Sequence, residues 1–547
     1  MKPILLYFLL LFSCCSIASA QFQDKSWMYL RAKDTLVSPK FEETNGVLRY
    51  VGDDTKLKKI FEEHIIYKFK KTYKNATRQN LKKTFFVISD KQSFLDDILR
   101  EGSHLFVFGE LIANEDKKIF EPNDYGLTST IGDYGEHKLN LDYLDFLDLP
   151  KAWYYTTGSK DVIVGISDAQ LDTINIDFKG KTKNLKNGYP SGGHGYGVSG
   201  IAAAQGNNGY GMPGVCYDCS IYGTKYGEFK DFKSLMELSK MGVRVINCSW
   251  SGSKYYETAQ EAINEMYQNG TIIVASAGNK NWNTSKQGEI VYYPASYDKV
   301  ISVSTVMYKN PTYKDAMDRD SKGNFFAQNV RNYVGRSLGF KDNDTLNEPH
   351  IWNVSVTTLN KDVDILAPSA GVFSYGKWLT KNKKEFIDIE ATSPAAPFVT
   401  GTIGLMLSLN PCLPTNEIES ILKMGSVNID YIPANRKFYG NYGSGALNAG
   451  NTIELLYQLY TPTQTAYIQN QDFSRWGFNL RSFAKKTVFK NQTFREDATL
   501  ELTSKNQVVL SENTILRPGN KGSIKIKIDS TLEKECELQL RDPSIEE

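Results

Sequence analysis

Val162-Ile163-Val164-Gly165-Ile166-Ser167-Asp168 is the stretch on which the reading of this chain turns. A short apolar run with branched side chains ends on a carboxylate. Three further runs share its character: Val243-Arg244-Val245-Ile246, Thr271-Ile272-Ile273-Val274 and Val300-Ile301-Ser302-Val303. Helical patterns lie between them. Short apolar strands alternating with helices predict an α/β fold, a mostly parallel sheet with helices on both faces. Such sheets gather functional groups at the carboxyl ends of their strands. Asp168 stands at such an end, where a lone Asp is more often only a loop cap.

Five histidines occur, and only His194 sits among glycines, in Ser191-Gly192-Gly193-His194-Gly195-Tyr196-Gly197-Val198-Ser199-Gly200. An imidazole held by tight backbone and open to a cleft suits a general base. Ser393 lies in Ala391-Thr392-Ser393-Pro394-Ala395-Ala396-Pro397. Pro394 suits a first helical turn, and Val399, Ile403 and Met406 continue at helical spacing. Ser393 is therefore expected at a helix N-terminus, where free N–H groups and the dipole favour an anion. A plain N-cap is the alternative for an isolated Ser. Asn279 closes Ala275-Ser276-Ala277-Gly278-Asn279 behind an apolar strand, where its amide can donate to an oxyanion or simply make a turn.

The order Asp168, His194, Asn279, Ser393, each with its flanking residues, resembles the subtilisin-like (S8) serine peptidases over about Asn123 to Leu455. Ala152 to Gly158, Val245 to Trp250, Tyr293-Pro294-Ala295, Leu366-Ala367-Pro368, Tyr442 to Gly445 and Asn448-Ala449 fall in the family's order. The resemblance implies an endopeptidase with Ser393 as nucleophile, His194 as base and Asp168 as its orienting acid. It implies Asn279 as oxyanion donor and the backbone of Ser249, Trp250, Ser251 and Gly252 as the strand that pairs with protein or peptide substrates. It also implies a calcium loop at Asn207 to Gly211, with Asp177 and Asn208 as candidate ligands. The alternative there is a Gly/Asn turn without metal; the chemistry itself needs no cofactor. Ala169, Gln170, Tyr196 and Ala391 depart from the family pattern, which motivates a second reading: an inactive binding or scaffold protein on the same fold. A serine esterase is set aside because Ser393 lacks a Gly-x-Ser-x-Gly elbow and comes last in the chain.

The flanking regions extend this reading. Lys2, the apolar run Ile4 to Phe12 and Ala18-Ser19-Ala20 read as a secretory signal peptide over 1–20, with lipid attachment at Cys14 as the rival. No other segment is apolar enough to span a membrane, so a secreted or cell-envelope chain is expected. Residues 21–120 read as a small α+β unit in the place of a propeptide, and 121–458 as the peptidase domain. Residues 459–547 read as a β-rich accessory region with no solenoid repeat. Within it, Ser523 to Ile528 alternates like a half-buried strand. Asn310 to Val354 reads as an inserted polar surface loop. Lys+Arg is 64 against Asp+Glu 62, a balance that gives no electrostatic case for nucleic acid, and a monomer is expected. The basic stretch Lys56 to Lys83 reads as a solvated helix face. Export permits a disulfide between Cys216 and Cys219; the alternative there, a zinc half-site, has no second Cys pair to complete it. Cys248 reads as a small core residue.

Overall fold

The computed structural model describes residues 25–44, 47–71, 78–113, 117–125, 139–185, 193–227, 230, 232–282, 289–375 and 391–541. The expected signal segment and Cys14 lie outside the described residues, as do Ser191 and Gly192. Two compact units divide the chain. One runs to Ile119 and takes in the last residues from Arg541; the other is Phe120–Leu540.

The first unit is α+β. Its strands are β1 (Ser26–Ala32), β2 (Phe41–Thr44), β3 (Val47–Tyr50), β4 (Ile66–Lys71), β5 (Thr84–Ser89) and β6 (Phe106–Leu111). They form one antiparallel sheet in the order β2-β3-β4-β5-β1-β6. Alternation along β1 explains the two faces. Met28, Leu30 and Ala32 join a core with Leu57, Ile60, Phe94 and Ile98 of the helices Thr55–Glu63 and Ser93–Arg100, while Trp27 packs with Phe86 and Ile88 on the other side. The basic stretch is thus not one helix face; its described residues are divided among the first helix, β4 and the short helix Gln79–Lys82.

The second unit is built on seven strands. They are β7 (Ile163–Asp168), β8 (Thr182–Asn184), β9 (Ser220–Lys225), β10 (Val245–Cys248), β11 (Ile272–Ser276) and β12 (Val300–Val306), then, after two hairpins, β17 (Ile365–Pro368). Every pairing is parallel, in the order β17-β12-β11-β10-β7-β9-β8. The sheet is covered on both faces, as the continuous apolar strands predict. Ile246, Cys248, Ile273 and Ala275 pack under the helices Lys233–Lys240 and Glu257–Gln268. Val245, Ile272, Val274 and Val303 point the other way, into the core shared with the helices His194–Ala203 and Ala395–Leu409. All fifteen residues of the latter helix are buried, which suits a sequence that is apolar on every face apart from Thr400, Thr402 and Ser408, whose hydroxyls are hydrogen-bonded.

The inserted segment is more than a polar loop. It folds into the hairpins β13 (Met317–Arg319) with β14 (Phe325–Ala327) and β15 (Ser337–Phe340) with β16 (Pro349–Ile351). Ala327, Val330, Val334, Phe340 and Ile351 are scattered through polar sequence, yet all enter the main core. That burial fixes the hairpins.

The C-terminal region overturns the expectation of no repeat. Its strands are β18 (Thr465–Gln469), β19 (Asp472–Phe473), β20 (Gly477–Ser482), β21 (Lys486–Lys490), β22 (Thr493–Glu496), β23 (Thr499–Ser504), β24 (Gln507–Leu510), β25 (Ile515–Pro518) and β26 (Ser523–Ile528). They form three separate three-stranded sheets, β18-β21-β24, β19-β22-β25 and β20-β23-β26, all parallel. This is a three-coil parallel β-solenoid, with Thr465 stacked on Lys486 and Lys486 on Gln507. Asn470, Asn491 and Asn513 repeat at one corner with φ of 65°, 48° and 55°, and each later amide donates to the one before it. Asn tolerates this left-handed backbone best among residues with side chains. β26 belongs to the last coil and pairs with β23 alone, so it is largely exposed.

The solenoid is fastened to the α/β layer. Buried Glu417 accepts from Arg481 Nε of β20 at 2.5 Å and from the Tyr460 hydroxyl at 2.8 Å. A disulfide joins Cys412 to Cys536, a pairing for which the sequence offered no sign. Cys216 and Cys219 are also bonded, so their sulfurs are not available to zinc; Cys248 is free and buried. Among the described residues, no helix is long and apolar enough to cross a membrane.

Candidate active site

Asp168 is the last residue of β7 and is buried. Its carboxylate meets Nδ1 of His194 at 2.7 Å and 2.9 Å and takes the Ala169 N–H at 2.6 Å. His194 opens its helix, behind Gly193 at φ 73°. The next residue must also be glycine: a Cβ on Gly195 would lie 2.2 Å from the Ala169 carbonyl oxygen. That close approach brings the imidazole onto the carboxylate. The His194 side chain remains 50% exposed, so its far nitrogen is open to a bound molecule. Burial disfavours the charged imidazolium, but the hydrogen bond and the negative charge of Asp168 outweigh it, and the pKa is raised above 6.5.

Ser393 lies just before the helix Ala395–Leu409, which Pro394 caps. Its hydroxyl donates to the Ser249 carbonyl at 3.2 Å, and its own carbonyl accepts from Ser249 Oγ at 2.8 Å. Ser249 follows β10, the strand beside β7, so Ser393 is held at the edge where Asp168 ends. A relay anchors it from below. Thr400 donates to Asn247 at 3.0 Å, and Asn247 donates to Ser249 Oγ at 2.8 Å. Sequence reasoning missed Asn247 and Thr400; a polar residue inside the apolar strand Val245–Cys248 was the available signal.

Asn279 follows β11 and is exposed. Its Oδ1 accepts from Thr392 N at 2.8 Å and Thr392 Oγ1 at 2.9 Å. With the carbonyl side tied down, the NH2 is directed away from Thr392. Thr392 Oγ1 also accepts from Gly278 N at 3.1 Å. Thr392 thus positions Asn279, a part the sequence reading did not assign.

Of the four residues expected to pair with substrate, Gly252 has its N–H and C=O taken by Tyr293 at 2.7 Å and 2.9 Å. Trp250 Nε1 donates to Ser167 Oγ at 3.1 Å, and Ser251 is exposed. The Gly252 backbone is thus already paired, and the Ser249 carbonyl holds the Ser393 hydroxyl. The two candidate calcium ligands do meet, as a hydrogen bond: Asn208 Nδ2 donates to Asp177 Oδ1 at 2.8 Å. Among the described residues, no three His, Cys, Asp or Glu side chains converge as a metal site.

A carboxylate-backed imidazole at the end of β7, a serine hydroxyl held behind β10 and an aligned amide behind β11, at the carboxyl ends of three neighbouring parallel strands, are the equipment of a nucleophilic hydrolase. Residues 159–445 match the Subtilase family model (Peptidase S8), and the chain belongs to that family of serine endopeptidases. It is 26% identical to Subtilisin DY of Bacillus licheniformis over 300 residues, covering 53% of this chain and 89% of that protein. It is 26% identical to Fervidolysin of Fervidobacterium pennivorans over 330 residues (54% and 42%). With the Extracellular serine protease of Serratia marcescens it shares 25% over 356 residues (54% and 32%). The chain thus spans less than half the length of the last two.

Proposed function

We propose that the protein is a secreted endopeptidase, made as a zymogen, that cleaves proteins through Asp168, His194 and Ser393. The observation that carries this reading is the buried Asp168 carboxylate on Nδ1 of a half-exposed His194. That bond fixes the tautomer in which Nε2 is free to take a proton. Ser393 Oγ attacks the peptide carbonyl and His194 Nε2 removes its proton. The oxyanion is held by the Asn279 amide and the backbone N–H at Ser393. His194 then protonates the leaving amine, and water enters by the same route to release the acyl group. Substrate lies extended along Ser249 to Ser251 as an added strand. The unit before Ile119 serves as propeptide and residues 1–20 as the export signal. Relatives described as extracellular support export.

Treatment of the processed protein with a fluorophosphonate, followed by peptide mapping, tests the reading. Label on Ser393 is expected. Folded, processed protein that takes no label overturns it in favour of the inactive scaffold.

A further inference from the structure

We infer that the loop Asn207 to Gly211 is held without a cation, with the Tyr375 hydroxyl occupying the place beside Asp177 that a calcium ion takes in the family's pattern. Calcium needs six to eight oxygen ligands around one centre. Here hydrogen donors are aimed at the buried carboxylate of Asp177. Tyr375 O–H donates to Asp177 Oδ2 and Asn208 Nδ2 to Oδ1. The Asn208 amide is not turned this way by chance. Its Oδ1 accepts from Tyr210 N at 3.0 Å, so the nitrogen side must face Asp177.

Space is filled as well as charge. The Tyr375 hydroxyl accepts from Met212 N at 2.9 Å, which completes its bonding, and the residue is 1% exposed. A Cβ on Gly211 would come 1.9 Å from that hydroxyl and 2.2 Å from Asp177 Oδ2; one on Gly200 would come 2.5 Å from the Tyr375 ring. The two glycines therefore leave a slot shaped for a tyrosine. Tyr196, one of the departures from the family pattern, lies in the same aromatic cluster, with centroids 5.1 Å from Tyr375 and 5.0 Å from Phe178. The rest of the loop hangs on Asp124, which accepts from Asn207 N and Asn208 N at 3.0 Å and 3.2 Å, and on Asn123, which accepts from Gly209 N at 2.8 Å. These backbone N–H groups point at side chains, and a carboxylate that binds them needs no metal.

The test uses the full chain carrying Ser393→Ala, so that self-digestion does not enter and the result does not depend on the peptidase reading. Metal content after dialysis into calcium and then buffer is measured by mass spectrometry, and thermal midpoints are taken in calcium chloride and in EDTA. The expected result is well under one calcium per chain and equal midpoints. Tyr375→Phe is expected to lower the midpoint by roughly 1–4 °C, equally in both buffers. Stoichiometric calcium that Asp177→Asn removes overturns the inference. So does an EDTA-induced drop in midpoint that Asp177→Asn abolishes, or a Tyr375→Phe chain as stable as its parent. If Tyr375→Phe does not fold, the metal content and the Asp177→Asn comparison decide.

Discussion

Thr392→Val removes one hydroxyl and leaves every proposed reacting group in place. Two bonds are lost, to Asn279 Oδ1 at 2.9 Å and from Gly278 N at 3.1 Å. The Asn279 carbonyl keeps only the Thr392 N–H at 2.8 Å and can swing about it. An oxyanion amide is worth about 2.7–4 kcal/mol, a scale known from subtilisin itself. Losing one of two equal restraints forfeits about half of that, ~1.4–2 kcal/mol, or roughly 10- to 30-fold in kcat. Because the amide meets charge that exists only after attack, KM should stay within about twofold. Stability should also fall, by about 1–3 kcal/mol, as the buried Gly278 N–H loses its acceptor. Steady-state kinetics on a chromogenic peptide anilide read the split, and Thr392→Ser, which keeps the hydroxyl, should restore kcat. An unchanged kcat, or a loss carried wholly by KM, would refute the assigned role of Thr392.

Ser393→Ala should lower kcat by about a millionfold, again the subtilisin scale, while the circular dichroism spectrum is retained. The pH profile of kcat/KM should fall on the acid side through a pKa above 6.5, since a protonated His194 cannot accept the Ser393 proton. Asp168→Asn removes both contacts that raise that pKa, so the acid limb should move to lower pH as the rate drops by about 10⁴. Opening the Cys412–Cys536 bond by a double Ser substitution frees a loop with a sequence separation of 124 residues; denaturant titration should show about 4–5 kcal/mol lost, and no change would mean the solenoid docks equally well without it. Arg481→Met leaves Glu417 buried without its cation and should cost about 3–5 kcal/mol, measured by thermal denaturation.

The α/β core was legible because its strands are buried on both faces. Burial on both sides forces continuous apolar runs, and Val162 to Ile166 or Thr271 to Val274 can hardly be anything else. The strand ends then located Asp168 and Asn279. Edge strand β8 (Thr182–Asn184) has one neighbour and a polar sequence, and left no such trace. The hairpins β13 to β16 were read as loop because their core residues come singly, spaced by turns whose geometry depends on what they land against.

The solenoid shows the same limit more sharply. A coil of this kind asks only that small and apolar side chains fall inward at intervals set by three short strands and their corners. Ala466 and Ile468, then Thr487 and Phe489, and then Val508 satisfy that requirement with different residues, and their corners vary in length. Asn470, Asn491 and Asn513 recur on every coil, and they read as ordinary turn residues until they are seen stacked. The positioning groups of the site were hidden for a related reason. Thr392 and Asn247 act through hydrogen bonds to residues more than a hundred positions away in sequence, and local spacing carries no mark of a partner at that distance. What the sequence could show was where the proposed reacting groups stand. The contacts that aim them arise only when β10, β11 and the helix behind Ser393 come together.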